Sequence, residues 1–507
     1  MLLDEVVATV DAVAATRSRL AKVDALAALL LRLEPDEIEP AVGFLLARPR
    51  QGRIGIGWRG LTAARVAPAA SPSLTVLDVD AALDRFAAIG GSGSATQRTA
   101  ALGELLGSAT DAEQDLLTRV LLGELRTGAL EGVLLDAIAR ASDRPGEIVR
   151  RAAMLSGDLG ATARLALTGS LDELAAVRLR VLRPVLPMLA ATAASAAEAL
   201  ATTGEASVEY KLDGARIQVH RAGDEVRIFT RSLADVTHRL PEVVELVRGM
   251  PVHDVILDGE TLALDEDGAP RPFQDTMARF GADAAREIVL HPRFFDVVHV
   301  DGRDLLDEPL SARLAELERI APEFRMPGRV TDDPAVAEAV AADALAAGHE
   351  GVLVKAIGSP YTAGRRGSAW IKVKPVHTYD LVVLAAEWGS GRRSDWLSNL
   401  HLGALDPAGE FGEAGGLVMV GKTFKGLTDE LLRWQTERFQ QLEVRRTAGT
   451  VWIAPAVVVE IAIDGVQRST RYPGGIALRF ARVKRYRDDK RVEDADTIQA
   501  LRSLLRG

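Results

Sequence analysis

A chain of 507 residues has room for about three domains at the usual ~150 residues each, and its 48% hydrophobic and 26% charged residues belong to a folding globular chain rather than a disordered one. The absence of cysteine excludes disulfides and every thiolate zinc site, and the eight histidines lack the spacing of a metal-ligand pair. A net charge of −10 excludes a protein that coats nucleic acid by bulk charge, so any such contact has to come from local basic patches.

From Met1 to about Thr203 the pattern is helical, with apolar residues three and four apart in Val23–Leu33, Asp111–Gly123 and Leu134–Ala141. The apolar stretch from Leu20 to Leu33 is interrupted by Lys22, Asp24 and Arg32. It reads as neither a signal peptide nor a membrane span, and the expected compartment is the cytoplasm. Gly90 to Ser94 reads as a flexible loop, and Arg183-Pro184-Val185-Leu186-Pro187 punctuates the end of the region. From Ser207 the period changes to two: Ser207–Leu212, Arg216–Arg221 and Glu225–Thr230 are predicted strands, with a turn at Ala222-Gly223-Asp224. Strands and shorter helices alternate up to Lys374. After Pro375 come strand-like stretches at Asp380–Ala386, His401–Leu405, Leu417–Thr423 and Val451–Ile463, with one clear helix near Asp429–Leu442. A run of short strands like that predicts a small barrel. The expected fold class is multidomain α+β: an all-helical domain over 1–203, a mixed α/β domain over 204–375 and a β-barrel domain over 376–507.

Two motifs mislead. Gly416 to Thr423 fits the P-loop pattern letter by letter, but its four intervening residues, Leu417 to Val420, are apolar and read as a strand, whereas a P-loop needs a flexible turn that wraps phosphate with backbone N–H groups. Gly55 to Gly60 fits the dinucleotide fingerprint, but Arg48 to Arg53 precede it where a buried strand should be, so a loop between helices is expected.

The strongest chemical signal is Glu209-Tyr210-Lys211-Leu212-Asp213-Gly214-Ala215-Arg216, set between two predicted strands. A lone lysine there is most often a solvated, salt-bridged side chain. Segments further along the chain change that reading: Thr230-Arg231-Ser232, Leu257-Asp258-Gly259-Glu260, Phe294-Phe295-Asp296, Glu350 to Lys355, Trp370 to Lys374, and a basic tail over 468–490 that contains Leu478-Arg479-Phe480-Ala481-Arg482. A lysine on a rigid strand end, beside a carboxylate and an arginine, is a candidate nucleophile. A lysine amine that attacks phosphorus must first lose its proton, at an ordinary pKa of about 10.4. Neighbouring cations such as Lys372 and Lys374 favour that loss by repulsion, and the charge gathering on phosphate needs arginine, lysine and metal around it.

In order and spacing this series resembles the covalent nucleotidyltransferase superfamily of DNA ligases, RNA ligases and mRNA capping enzymes. Within it the chain is most similar to the ATP-dependent DNA ligases. The helical region before Lys211, with Gly123 to Gly132 including Arg126, resembles their DNA-binding domain. Arg183 to Ala190 resembles the entry to their catalytic core, and Arg479 to Lys490 their sixth motif, with Ala481 where the family commonly has proline. The resemblance implies an adenylation (nucleotidyltransferase) domain followed by an OB-fold barrel. It implies that Lys211 carries AMP and that Glu209 meets the adenine amine. Arg216 and Arg231 would face sugar and phosphates, Phe295 the base, and Glu260 and Glu350 the ribose or a Mg²⁺ ion. Arg366, Lys372 and Lys374 would approach the α-phosphate, Arg479 and Arg482 the departing pyrophosphate, and Arg126 the DNA. The implied substrates are ATP and nicked double-stranded DNA, closed on by a monomeric clamp with no membrane involved. The rival readings are an RNA ligase, a GTP-dependent capping-type nucleotidyltransferase, and a DNA-binding clamp without catalysis.

Overall fold

The computed structural model describes residues 1–52, 56–90, 94–123, 125, 130–280, 288–362, 366–390 and 393–505. The loop expected at Gly90 to Ser94 lies largely outside them, and so does Arg126. Among the described residues no helix is long and apolar enough to cross a membrane.

The N-terminal part is an array of helices running from Leu3–Ala15 to Leu171–Ala175. Their buried faces form one core that includes Val6, Val10, Leu26, Leu30, Phe44, Phe86, Leu116 and Ile138. Local chemistry sets the ends of these helices. The Thr110 side chain accepts from the backbone N–H of Glu113 while the Glu113 carboxylate accepts from the N–H of Thr110 at 2.7 Å, closing a capping box on Asp111–Leu122. Such a cap contributes roughly 1 kcal/mol. Gly123, at φ 69°, ends that helix in the left-handed conformation. Among the described residues, Ile56 and Gly57 lead irregularly into the helix Trp58–Ala63 and no strand precedes it; Gly55 lies outside them.

The helical reading to Thr203 requires correction. Leu189–Ala193 is a strand, and the helix Ala196–Thr203 shares a core with the middle of the chain: Ala199 and Leu200 pack with Val208, Val352, Val354 and Ile371. The strand's Ala-rich sequence has no β-propensity to betray it. It is a strand because it pairs in parallel with Arg366–Val373.

The middle region is two five-stranded sheets. The first runs Leu189–Ala193, Arg366–Val373, Gly351–Ala356, Ala206–Lys211, Gly328–Thr331; the second runs Glu225–Thr230, Ala215–Ala222, Asp254–Ala263, Leu290–Val300, Arg303–Asp304. Side chains alternate across a strand, and here the alternation divides packing from chemistry. Val208, Val352, Val354 and Ile371 face helices on the outside of the first sheet. Ile217, Val219, Val255 and Leu257 do the same on the second. Their sequence neighbours Glu209, Lys211, Arg216, Asp258, Glu260, Leu353 and Lys372 take the opposite faces. An apolar floor of Leu212, Ile256, Phe295, Tyr361 and Trp370 underlies the space between the sheets.

The C-terminal part is a seven-stranded sheet around its own core, which includes Leu381, Val383, Leu400, Val420, Phe439, Val459 and Ile461. Gly416–Thr423 pairs antiparallel with Leu397–Asp406 along its length, so the P-loop lookalike is a strand. Its lysine, Lys422, pairs with Glu387 on the barrel instead of facing a phosphate site.

Candidate active site

A cavity of about 400 Å³ lies between the two sheets of the middle region, roofed by the barrel. Lys211, Arg216, Arg231, Glu260, Phe295, Glu350, Lys372, Lys374 and Arg479 all line it, so residues from far-apart segments of the chain converge on one cavity. Lys211 ends its strand opposite Gly351, and its Nζ pairs with the Glu350 carboxylate. Gly351 stands at φ 142°, and a Cβ there would lie 2.2 Å from the Val373 carbonyl oxygen, so only glycine lets the two strands meet this closely beside the lysine.

Charge in the cavity is tightly compensated. Burial drives the Glu350 carboxyl up, but the ammonium groups of Lys211 and Lys374 more than offset this and hold it at about 2. Lys374 donates to Glu350 at 2.9 Å and to Asp464 of the barrel at 2.5 Å. Lys374 is therefore paired with two carboxylates, Glu350 shared with Lys211 and Asp464 shared with Arg482. Glu260 goes the other way: burial, with Asp258 and Glu350 nearby, outweighs Lys211 and Arg216 and raises it to about 7. A divalent cation between Glu260 and Glu350 would favour the ionised form of the buried Glu260. Among the described residues no three His, Asp or Glu side chains cluster as a protein-only cage. Two carboxylates completed by phosphate and water is the usual arrangement for Mg²⁺, and the donor set fits it.

Two expected residues stand off the lining. Glu209 is buried behind it, where its oxygens accept from Lys355 Nζ at 2.5 Å and Ser207 Oγ at 2.8 Å. Arg482 donates to Asp464 at 3.2 Å. The Arg366 side chain lies outside the described residues. Asp296 anchors the fold: fully buried, it accepts from Arg313 Nε at 2.7 Å and so pins the helix Leu310–Ile320. The basic tail is largely occupied within the barrel, since Arg487 and Lys490 both bind Asp380 and Arg485 binds Glu460.

Several residues had no role assigned from sequence. Lys355 is fully buried with its Nζ 4.2 Å from the Phe295 ring centre and 4.4 Å from that of Trp370. Asp213 receives both Nη atoms of Arg479, one at 3.0 Å. Tyr361 and Asp258 hold Arg216 from behind. The signal for Asp213 was its place just beyond the lysine; for Lys355 it was a charged residue closing an apolar strand. Arg479 and Phe480 reach the cavity from the barrel, so the barrel is folded over the cleft in this structure.

Comparison with known proteins gives three family matches: "ATP dependent DNA ligase domain" over residues 187–374, "ATP dependent DNA ligase C terminal region" over 393–490 and "DNA ligase N terminus" over 59–139. A protein of Pseudarthrobacter chlorophenolicus named "Probable DNA ligase" is 73% identical over 100% of both chains. One of the same name from Saccharopolyspora erythraea is 58% identical over 99% of this chain and 98% of its own. Among solved structures, one titled "Pmar-Lig_PreS3" shares the fold at a TM-score of 0.64 and 18% identity, covering 95% of this chain and 99% of its own.

Proposed function

This chain belongs to the ATP-dependent DNA ligases, and we propose that it seals nicks by way of an AMP carried on Lys211, with the nucleotide seated in the cleft between the two middle sheets. The observation that carries the site assignment is the convergence of the Lys211 amine, Glu260, Glu350, Lys372, Lys374 and Arg479 on one cavity. The Lys211 Nζ, once its proton has left, attacks the α-phosphorus of ATP; the bond to pyrophosphate breaks and a lysyl-AMP forms. Lys372, Lys374 and Arg479 face the charge that develops on the phosphates. For Arg479 this means exchanging Asp213 for pyrophosphate oxygens. Glu260 and Glu350 are the residues that would hold Mg²⁺, whose part when bound is to stabilise charge on the α-phosphate and the leaving group. Phe295 and Trp370 form the apolar end that receives the base. Glu209, committed to Lys355, acts on the base only through that buried pair.

AMP then passes to the 5′-phosphate at the nick and the 3′-hydroxyl displaces it. We assign the helical region, taken from sequence as 1–203, to gripping the duplex, the middle, 204–375, to the nucleotide, and the barrel, 376–507, to closing over it as a monomeric clamp. Single-turnover sealing of a nicked duplex supplied in turn with ATP, GTP or NAD tests this. Sealing with ATP alone is expected; sealing with NAD in place of ATP would overturn it.

A further inference from the structure

The segment that joins the helical region to the middle, Leu182 to Met188, lies across the strand Ala215–Ala222 without pairing to it as a strand. Three side chains of that strand hold it instead, and they alternate on one face. His220 Nδ1 accepts from the Leu182 N–H at 3.0 Å. Gln218 binds Val185 twice: its Oε1 accepts from the N–H at 2.8 Å and its Nε2 donates to the carbonyl at 3.2 Å. Arg216 Nη1 donates to the Met188 carbonyl at 2.8 Å. Side chains two apart on the strand thus meet linker residues three apart, and each contact is to backbone.

The ladder is internally consistent. Because His220 Nδ1 accepts, its proton sits on Nε2, which donates to Gln218 Oε1 at 2.8 Å. Burial, with His299 nearby, lowers the His220 pKa to about 3, so the ring stays neutral in this role. His220 is 0% and Gln218 5% exposed. At the cavity end, the Met188 N–H donates to Tyr361 Oη at 3.2 Å and that hydroxyl donates to Asp258 at 2.7 Å. Asp258 in turn holds Arg216, a lining residue of the cavity.

The linker's other side is held by the helical region. The Leu186 N–H donates to the Met154 carbonyl at 3.1 Å. Gly157, at φ 64°, lies so close to the linker that a Cβ would come 2.2 Å from the Pro184 oxygen. Met154, Leu155, Val185 and Met188 share one apolar cluster with Phe295 and Trp370 of the cavity floor.

We infer that Gln218 and His220 are positioning residues for strand joining: by strapping the linker to the strand that carries Arg216, they set the place of the helical region relative to the lysyl-AMP. This rests on the ligase reading above. A loosened strap leaves the cavity able to react with ATP but misaligns the DNA ends that the helical region presents, and small displacements of reacting groups cost large factors in rate.

The test uses the full chain with Gln218→Leu and His220→Leu, each measured in two reactions. Lysyl-AMP formation from ATP is expected to stay within about threefold of wild type, while single-turnover sealing of a pre-adenylated nick at saturating DNA falls about 10- to 100-fold. Equal loss in both reactions, including loss of both through misfolding, would show that the ladder only holds the middle region together and would overturn the inference. Unchanged sealing in both variants would overturn it as well. Failure of the wild-type chain to form lysyl-AMP would instead strike the ligase mechanism, so the two readings fail separately.

Discussion

Glu260→Gln should stabilise the protein at neutral pH while disabling it. The Glu260 carboxyl, ordinarily near 4.5, is raised to about 7 in the fold, by burial first and by Asp258 and Glu350 with it. A carboxyl whose folded pKa lies above its unfolded one keeps its proton longer when folded. Stability from this group is therefore intact below about 4.5 and is lost as the pH rises towards 7. A shift of about 2.5 units at 1.36 kcal/mol each corresponds to at most ~3 kcal/mol, and water in the cavity lowers it. Glutamine removes the titration. The assay is native-state hydrogen exchange on the strand Asp254–Ala263, since a chain of several domains need not unfold in one step. Against wild type, the variant's opening free energy should rise by up to ~2.5 kcal/mol more at pH 8 than at pH 5, and Mg²⁺ should narrow the gap by stabilising wild type alone. Lysyl-AMP formation should fall by about 10² or more. A stability difference that is the same at both pH values would refute the argument that burial raises the Glu260 carboxyl in the fold.

Arg479→Ala, which removes a lining guanidinium, should slow lysyl-AMP formation by about 10²–10³ and affect sealing of a pre-adenylated nick much less; paired single-turnover rates check this, and Arg482→Ala, off the lining, should show the smaller first-step effect. A chain beginning at Arg178 should still form lysyl-AMP from labelled ATP and lose most nick sealing. One beginning at Gly204 should lose both, because it lacks the strand Leu189–Ala193 that pairs beside Lys372. DNA affinity should be modest and fall only shallowly with salt if the basic tail is the DNA contact, because Arg485, Arg487 and Lys490 are bound to barrel carboxylates and few of its cations remain for phosphate; titration across salt concentrations measures the slope.

The period-two pattern located Ala206–Lys211, Ala215–Ala222 and Glu225–Thr230 to within a residue or two, because each strand buries one apolar face against helices and that face is written into the residues. The same logic rejected the P-loop lookalike, since apolar residues in succession make a buried strand. The strand Leu189–Ala193 was not legible: alanine and threonine carry no period, and its pairing partner lies far along the chain. Side-chain alternation put Glu209 on the same face as Lys211, but the pattern does not name the partner across the cleft, and Lys355 claims that carboxylate. Arg482 stands off the lining for a related reason. Asp464 follows a strand with nothing to mark it as chemical, yet it takes both Lys374 and Arg482. Charges that converge from distant segments neutralise one another in ways that spacing does not record.

The most direct test of the lysyl-AMP assignment is to incubate the protein with α-labelled ATP and Mg²⁺, denature it, and map the labelled peptide, in wild type and in Lys211→Arg. The arginine keeps the positive charge beside Glu350 but cannot deprotonate to become a nucleophile. One acid-labile AMP is expected on the peptide containing Lys211 in wild type, and none in the variant. A label on any other residue, or one that survives Lys211→Arg, would contradict the assignment.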